Sequence, residues 1–141
     1  MKLLIKKLVP EAVLPQFAHD TDAGMDLYSV ETLQIAPGER CAIKTGLAMH
    51  IPEGYAGLIW DKSGRALKEG LKTMAGVVDS GYRGEVQVVL INLSTESTTI
   101  SAGQKIAQMI IQKIEQPLIE EVEHVDDTSS RGQGGFGSTG L

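Results

Sequence analysis

Asp79 closes an apolar run, Gly76-Val77-Val78-Asp79, and Ser80, Gly81, Tyr82, Arg83 and Gly84 follow it directly. A carboxylate at the end of an apolar strand is a position where partial burial yields a general base, aimed at a water proton. An aromatic ring three residues on, at a turn, can offer a flat face to a sugar or a base. Asp before Ser-Gly is also a routine turn former, so the spacing by itself leaves both readings open.

A second group lies in Asp61-Lys62-Ser63-Gly64-Arg65-Ala66. Ser63 and Gly64 fall where a short helix should begin, and the free N–H groups there, with a hydroxyl and Lys62, can cradle phosphate. Ser63 can equally be a plain N-cap. Asp26 sits among apolar neighbours in Ala23-Gly24-Met25-Asp26-Leu27, as a structural hydrogen-bonding group or a contact to hydrated metal. Gln108, inside the apolar run Lys105–Ile114, must give its amide a specific partner, substrate or backbone.

The third group is the stretch RGQGGFGSTG at 131–140. Glycine-rich termini are commonly disordered. This one lacks the Gly-Lys-Ser/Thr ending of a Walker loop. It nevertheless holds the parts of a phosphate lid: Arg131 for charge, glycine N–H groups, the Ser138 and Thr139 hydroxyls, and Phe136 to stack on a base. Other chemistries find little support. His19, His50 and His124 have no metal-ligand spacing, and no Gly-x-Ser-x-Gly elbow accompanies them.

The elements that must position these groups are short. Apolar runs at 3–9, 25–30, 32–35, 41–51, 54–60, 85–93, 105–114 and 118–125 are rich in Val and Ile, several with period-2 alternation. Pro37-Gly38, Pro52-Glu53-Gly54 and Ser80-Gly81 punctuate them. Residues 75–92 read as a hairpin. Residues 64–71 read as one or two helical turns with Leu67 and Leu71 on one face. Many short strands with one small helix predict an all-β barrel or sandwich. Periodicity stops at Asp126, which divides the chain into a 1–125 domain and a mobile 126–141 segment.

With 141 residues the chain suits one domain. A net charge of −5 without a basic face argues against nucleic-acid coating. Cys41 is the single cysteine, which excludes an intrachain disulfide and fits a reducing compartment. The start, MKLLIKKLVPE, is too interrupted for a signal peptide, and no run approaches the roughly 20 apolar residues of a membrane span. A cytoplasmic setting is the expectation.

Taken in order, AGMDL (23–27), KSGRA (62–66), AGVVDSGYRG (75–84), GQKIAQMI (103–110) and RGQGGFGSTG (131–140) resemble the five motifs of the trimeric deoxyuridine triphosphatases, the dUTPases. The resemblance implies a jelly-roll-like β-barrel that forms a homotrimer, with sites shared at subunit interfaces. It implies hydrolysis of dUTP to dUMP and pyrophosphate with Mg²⁺, which keeps uracil out of DNA and supplies dUMP for thymidylate synthesis. On this sequence it assigns Asp79 to the attacking water and Tyr82 to the deoxyribose. Backbone around Val77, Val78 and Gln87 would read uracil. Lys62, Ser63, Gly64 and Gln108 would hold phosphates, and Asp26 would reach Mg²⁺ through water. From another subunit, Arg131 would clamp the terminal phosphate, Phe136 would stack on uracil, and Gly137, Ser138 and Thr139 would close over the chain.

Three departures from the family pattern bear on this: the stretch at 62–65, Gly81, and Gln104 with Lys105 in the fourth motif, the last pair reading as ordinary variation. Lys62-Ser63-Gly64-Arg65 stands where Arg-Ser-Gly-Leu is usual, and lysine lacks the bidentate fork, with Arg65 a candidate to compensate. Gly81 replaces a common Asp. A dCTP deaminase of the same fold would need a glutamate inside the strand, where this chain has Val89; Glu85 comes too early. A non-catalytic nucleotide-dependent binder is the other alternative.

Overall fold

The computed structural model describes residues 1–125, 129 and 132. Ten strands and one helix follow in the order β1 (Leu4–Lys7), β2 (Met25–Tyr28), β3 (Leu33–Ile35), β4 (Arg40–His50), β5 (Tyr55–Trp60), α1 (Ser63–Glu69), β6 (Leu71–Met74), β7 (Val77–Val78), β8 (Glu85–Asn92), β9 (Thr98–Ile100) and β10 (Lys105–Lys113). They form one four-stranded sheet in the order β1-β4-β8-β6, a second in the order β2-β10-β5-β7, and a β3-β9 pair. Every ladder is antiparallel, giving a jelly-roll-like all-β architecture.

The alternation in the sequence sets the core. In β8, Val86, Val88, Leu90 and Asn92 point inward while Gln87 is exposed. They meet Ile43 and Leu47 of β4, Leu27 of β2, and Ile106 and Met109 of β10, all essentially without solvent contact. The one polar member, Asn92, is fully satisfied. Its amide donates to Ile35 O (2.9 Å) and Glu96 O (2.7 Å) and its oxygen accepts from Ser94 N (2.9 Å) and Oγ (2.7 Å).

Three expectations change. Residues 75–92 are not a two-stranded hairpin, because β7 pairs with β5 (Gly57↔Val78, Leu58↔Val77) while β8 pairs with β4 and β6. Residues 79–84 therefore cross from one sheet to the other. The helix runs from Ser63 to Glu69, with Leu67 87% exposed, and Leu71 opens buried β6 instead of packing on the helix. No strand forms at 118–125, where Leu118, Ile119 and Val125 stand almost fully exposed. An alternating run becomes a strand only where another edge takes its hydrogen bonds, and no ladder reaches that segment among the described residues. No helix among the described residues is long and apolar enough to cross a membrane.

Candidate functional site

Among the described residues, two cavities hold seven of the ten site residues singled out by the sequence. The first, about 300 Å³, is lined by Ile59, Ala75, Gly76, Val77, Val78, Asp79, Tyr82, Glu85, Val86 and Gln87. One wall depends on Gly76. Its φ of 110° suits glycine, and a Cβ there would sit 2.8 Å from Ile59 O. Gly76 O accepts from Ile59 N at 2.8 Å, which fixes the start of β7 against β5.

Beyond β7 the chain turns sharply. Tyr82 N donates to Asp79 O (3.1 Å) and the Tyr82 hydroxyl donates to Glu85 O (2.9 Å). The phenol lies over Gly84, where a Cβ would fall 2.4 Å from the hydroxyl oxygen. Glycine at 84 is thus a steric requirement of the ring's place. Arg83 Nη1 donates to Ser80 O (2.5 Å) and Tyr82 O (2.8 Å). Asp79 is exposed, not partly buried as its apolar neighbours suggested, because the strand ends before it and the turn carries it outward. Glu85 Oε1 accepts the Gly46 amide (2.8 Å), so this carboxylate is engaged in backbone support.

The second group surrounds α1. Asp26, 2% exposed, is held by two ammonium groups: Lys62 Nζ at 2.5 Å from Oδ1 and Lys105 Nζ at 2.7 Å from Oδ2. The Lys105 contact is an ion pair without hydrogen-bond geometry at Oδ2. Burial pushes the Asp26 carboxyl up, but the two lysines outweigh it and hold it below the usual carboxylate range. Asp26 and Gln108 are cross-strand partners, as are Gln108 and Trp60. Gln108 Nε2 donates to Asp61 O at 2.8 Å, so its specific partner in the chain itself is backbone.

Lys62, not Ser63, occupies the N-cap of α1 and makes no side-chain cap; Ser63 and Gly64 are exposed in the first turn. Nothing lies within 4 Å of a Cβ built on Gly64. Arg65 does not stand free to replace a phosphate-binding fork. Its Nε donates to Lys105 O (2.6 Å), Nη1 to Glu69 (2.9 Å) and Nη2 to Gln104 Oε1 (2.9 Å), which straps α1 to the start of β10. Lys62, Gly64, Arg65, Lys68, Glu69 and Lys105 line a cavity of about 350 Å³.

Sequence reasoning missed Asp61, Lys105 and the strapping role of Arg65. Asp61 Oδ1 accepts from both the amide and the hydroxyl of Thr73, each at 2.6 Å, and Oδ2 pairs with Lys72 at 2.8 Å. Burial raises its carboxyl, yet Lys72 and Thr73 prevail and keep it low. The signal was present in the adjacent acid and base of Asp61-Lys62, but its meaning depends on β6, which lies ten residues on and was not anticipated.

The two cavities share no lining residue. Val77, Val78, Asp79, Tyr82 and Gln87 line one; Lys62, Gly64 and Lys105 line the other, with Asp26 paired to both lysines but outside the lining. Arg131, Phe136, Gly137, Ser138 and Thr139 lie outside the described residues. Among the described residues no three His, Cys, Asp or Glu side chains come together to hold a metal. Asp26, buried with an ammonium at each oxygen, cannot serve a resident ion directly.

The β fold presents an aspartate and a tyrosine over one pocket and lysines around another. The dUTPase family model matches residues 10–140. The deoxyuridine 5'-triphosphate nucleotidohydrolase of Clostridium kluyveri is 49% identical over 99% of both chains, and that of Mycolicibacterium gilvum 46% identical over 98% of this chain and 94% of its own. A solved dUTPase of Staphylococcus bacteriophage 80alpha, a mutant with dUpNHpp, superposes with a TM-score of 0.93 at 33% identity, covering 99% of each chain. A mutant dUTPase of phage phi11 of S. aureus, described with a structural Mg(II) ion, gives 0.82 at 31% identity over 88% of this chain and 98% of its own. The chain belongs to the dUTPase family.

Proposed function

We propose that this chain hydrolyses dUTP to dUMP and pyrophosphate. The observation that carries the reading is the placement of Asp79 and Tyr82 on one turn over the cavity that Val77, Val78 and Gln87 also line. Uracil enters that cavity, where strand backbone at Val77 and Val78 and the Gln87 region supplies donors and acceptors for its edge. The Tyr82 ring packs against the deoxyribose and leaves no room for a 2′-hydroxyl. Asp79 orients a water in line with the α-phosphorus and takes its proton as the P–O bond to pyrophosphate breaks.

The triphosphate carries about four negative charges, so a base alone is insufficient. Lys62, Ser63, Gly64 and Gln108 hold the phosphates. Mg²⁺, when bound, adds charge neutralisation across the phosphate chain, with Asp26 in reach through water. Membership of the dUTPase family supports a homotrimer with sites completed across its interfaces. Residues 126–141 act as a lid from another subunit. Arg131 clamps the terminal phosphate, Phe136 stacks on uracil, and Gly137, Ser138 and Thr139 cover the chain. Ordering about ten residues costs on the order of 10 kcal/mol, while one base stack returns roughly 1–3, so closure needs the full triphosphate. The products serve a cytoplasmic nucleotide pool: uracil is kept from DNA and dUMP is made available for thymidylate synthesis.

Incubation with dUTP, dCTP, dTTP and UTP separately, each with Mg²⁺, tests the proposal. Only dUTP is expected to yield a monophosphate and pyrophosphate. Ammonia from dCTP would return the deaminase reading, which Val89 and the engaged Glu85 carboxylate disfavour. Asp79→Asn should lower kcat by at least a hundredfold while binding of a non-hydrolysable dUTP analogue persists. An unchanged kcat would end the assignment of Asp79.

A further inference from the structure

Residues 79–84 cross between two sheets, and all but Ser80 are exposed. Burial therefore does little to fix this turn. Among the described residues no hydrogen bond reaches the Asp79 carboxylate, so its direction is set by backbone. Gly81 adds freedom at the centre: its φ is outside the left-handed region and a Cβ on it would meet open space, so nothing in the geometry demands glycine. A glycine that geometry does not require leaves the turn looser than an alanine would.

One side chain counters this. Arg83 Nη1 bridges Ser80 O and Tyr82 O, the carbonyls on either side of Gly81. The guanidinium also borders shallow cavities with His50 and Glu53, away from the pocket under Asp79. It is not among the residues lining that pocket.

We propose that Arg83 is a positioning residue for catalysis, bridging the turn across Gly81 so that Asp79 and Tyr82 keep their mutual placement. The inference rests on the assignment of Asp79 as the base that activates water. It also predicts that Gly81 and Arg83 are energetically coupled, since a stiffer residue at 81 reduces the need for the bridge. Misplacing a reacting group by about 1 Å can cost around a hundredfold in rate, and a loosened turn should show part of that.

The test uses the full-length protein with Arg83→Ala, Arg83→Lys, Gly81→Ala and the Arg83→Ala/Gly81→Ala double variant. Three readouts are taken: kcat with saturating dUTP, hydrogen exchange at the Tyr82 amide, and thermal midpoint. Arg83→Ala should lower kcat roughly tenfold or more, speed Tyr82 exchange, and leave the midpoint nearly unmoved because the residue is exposed. Arg83→Lys, with a single point donor, should lie between. Adding Gly81→Ala to Arg83→Ala should recover part of both kcat and protection. Unchanged exchange in Arg83→Ala overturns the bridge. Faster exchange with full kcat overturns its catalytic relevance. Loss of kcat that Gly81→Ala does not relieve overturns the coupling. Asp79→Asn, measured alongside, reports separately on the base: if it keeps full turnover, the underlying assignment fails while the exchange data still judge the bridge.

Discussion

Replacing Asp61 with alanine removes the acceptor for two donors of Thr73, a residue only 9% exposed. An orphaned buried donor costs roughly 1–3 kcal/mol. Alanine leaves space that water can enter, so the lower end applies to each, about 2 kcal/mol together. Lys72, half exposed, adds little. For a domain of this size that is about 6 °C in thermal midpoint. Asp61→Asn keeps an oxygen for Thr73 and loses only the charge, worth about 0.5–1 kcal/mol. The pH dependence separates these contributions. The folded Asp61 carboxyl is depressed relative to its unfolded value of about 3.9. Its charge therefore stabilises fully above that value and ceases to do so as pH falls through the lower folded value. The parent should exceed Asp61→Asn at pH 6, and the gap should shrink progressively as pH falls below about 3.9, while Asp61→Ala stays below both. Melting curves at fixed protein concentration read this directly. Losing the Thr73 contacts loosens the backbone at 61, whose retained carbonyl holds Gln108 and whose chain neighbour is Lys62, so the alanine variant should also raise KM for dUTP several-fold. A midpoint within 1 °C of the parent, or a parent–Asn gap undiminished at pH 3, refutes the reasoning.

Gly84→Ala puts a methyl where the Tyr82 hydroxyl lies, so the ring must swing away. Turnover of dUTP should fall and the preference for dUTP over UTP should narrow, measured as the ratio of their kcat/KM values. Asn92→Ala breaks four hydrogen bonds and takes the Asn92 partner from buried Ile35 O and from the Ser94 amide, while Glu96 O keeps the Ser94 hydroxyl as donor. A loss of about 3 kcal/mol is expected in urea unfolding, with little effect on KM, because the residue lies at the far end of β8 from Gln87.

Much of the framework could be read from residue order. The apolar strands 85–92 and 105–113 emerge because four of eight residues in the first and three of nine in the second are buried in the core. Asp79 and Tyr82 were legible as residues of one turn. What the chain order concealed was pairing. Local alternation does not say that β7 joins β5 while β8 joins β4, nor that Leu71 serves a strand and not a helix face. The same limit hid Asp61, whose partners are in β6, and misread Arg65, whose three bonds lie on α1 and forty residues away. At 118–125 the pattern was present but no edge within the described chain answers it.

The turn from Asp79 to Gly84 has its feet on different sheets. Its span is thus a gauge of how far apart those sheets sit, and Val88 and Met109, one from each sheet, pack in the interior between them. Methyl groups well below the pocket consequently act on the aim of a surface carboxylate. Interior volume in this fold is a kinetic variable as much as a thermodynamic one, and hydrostatic compression should register in turnover before it registers in unfolding.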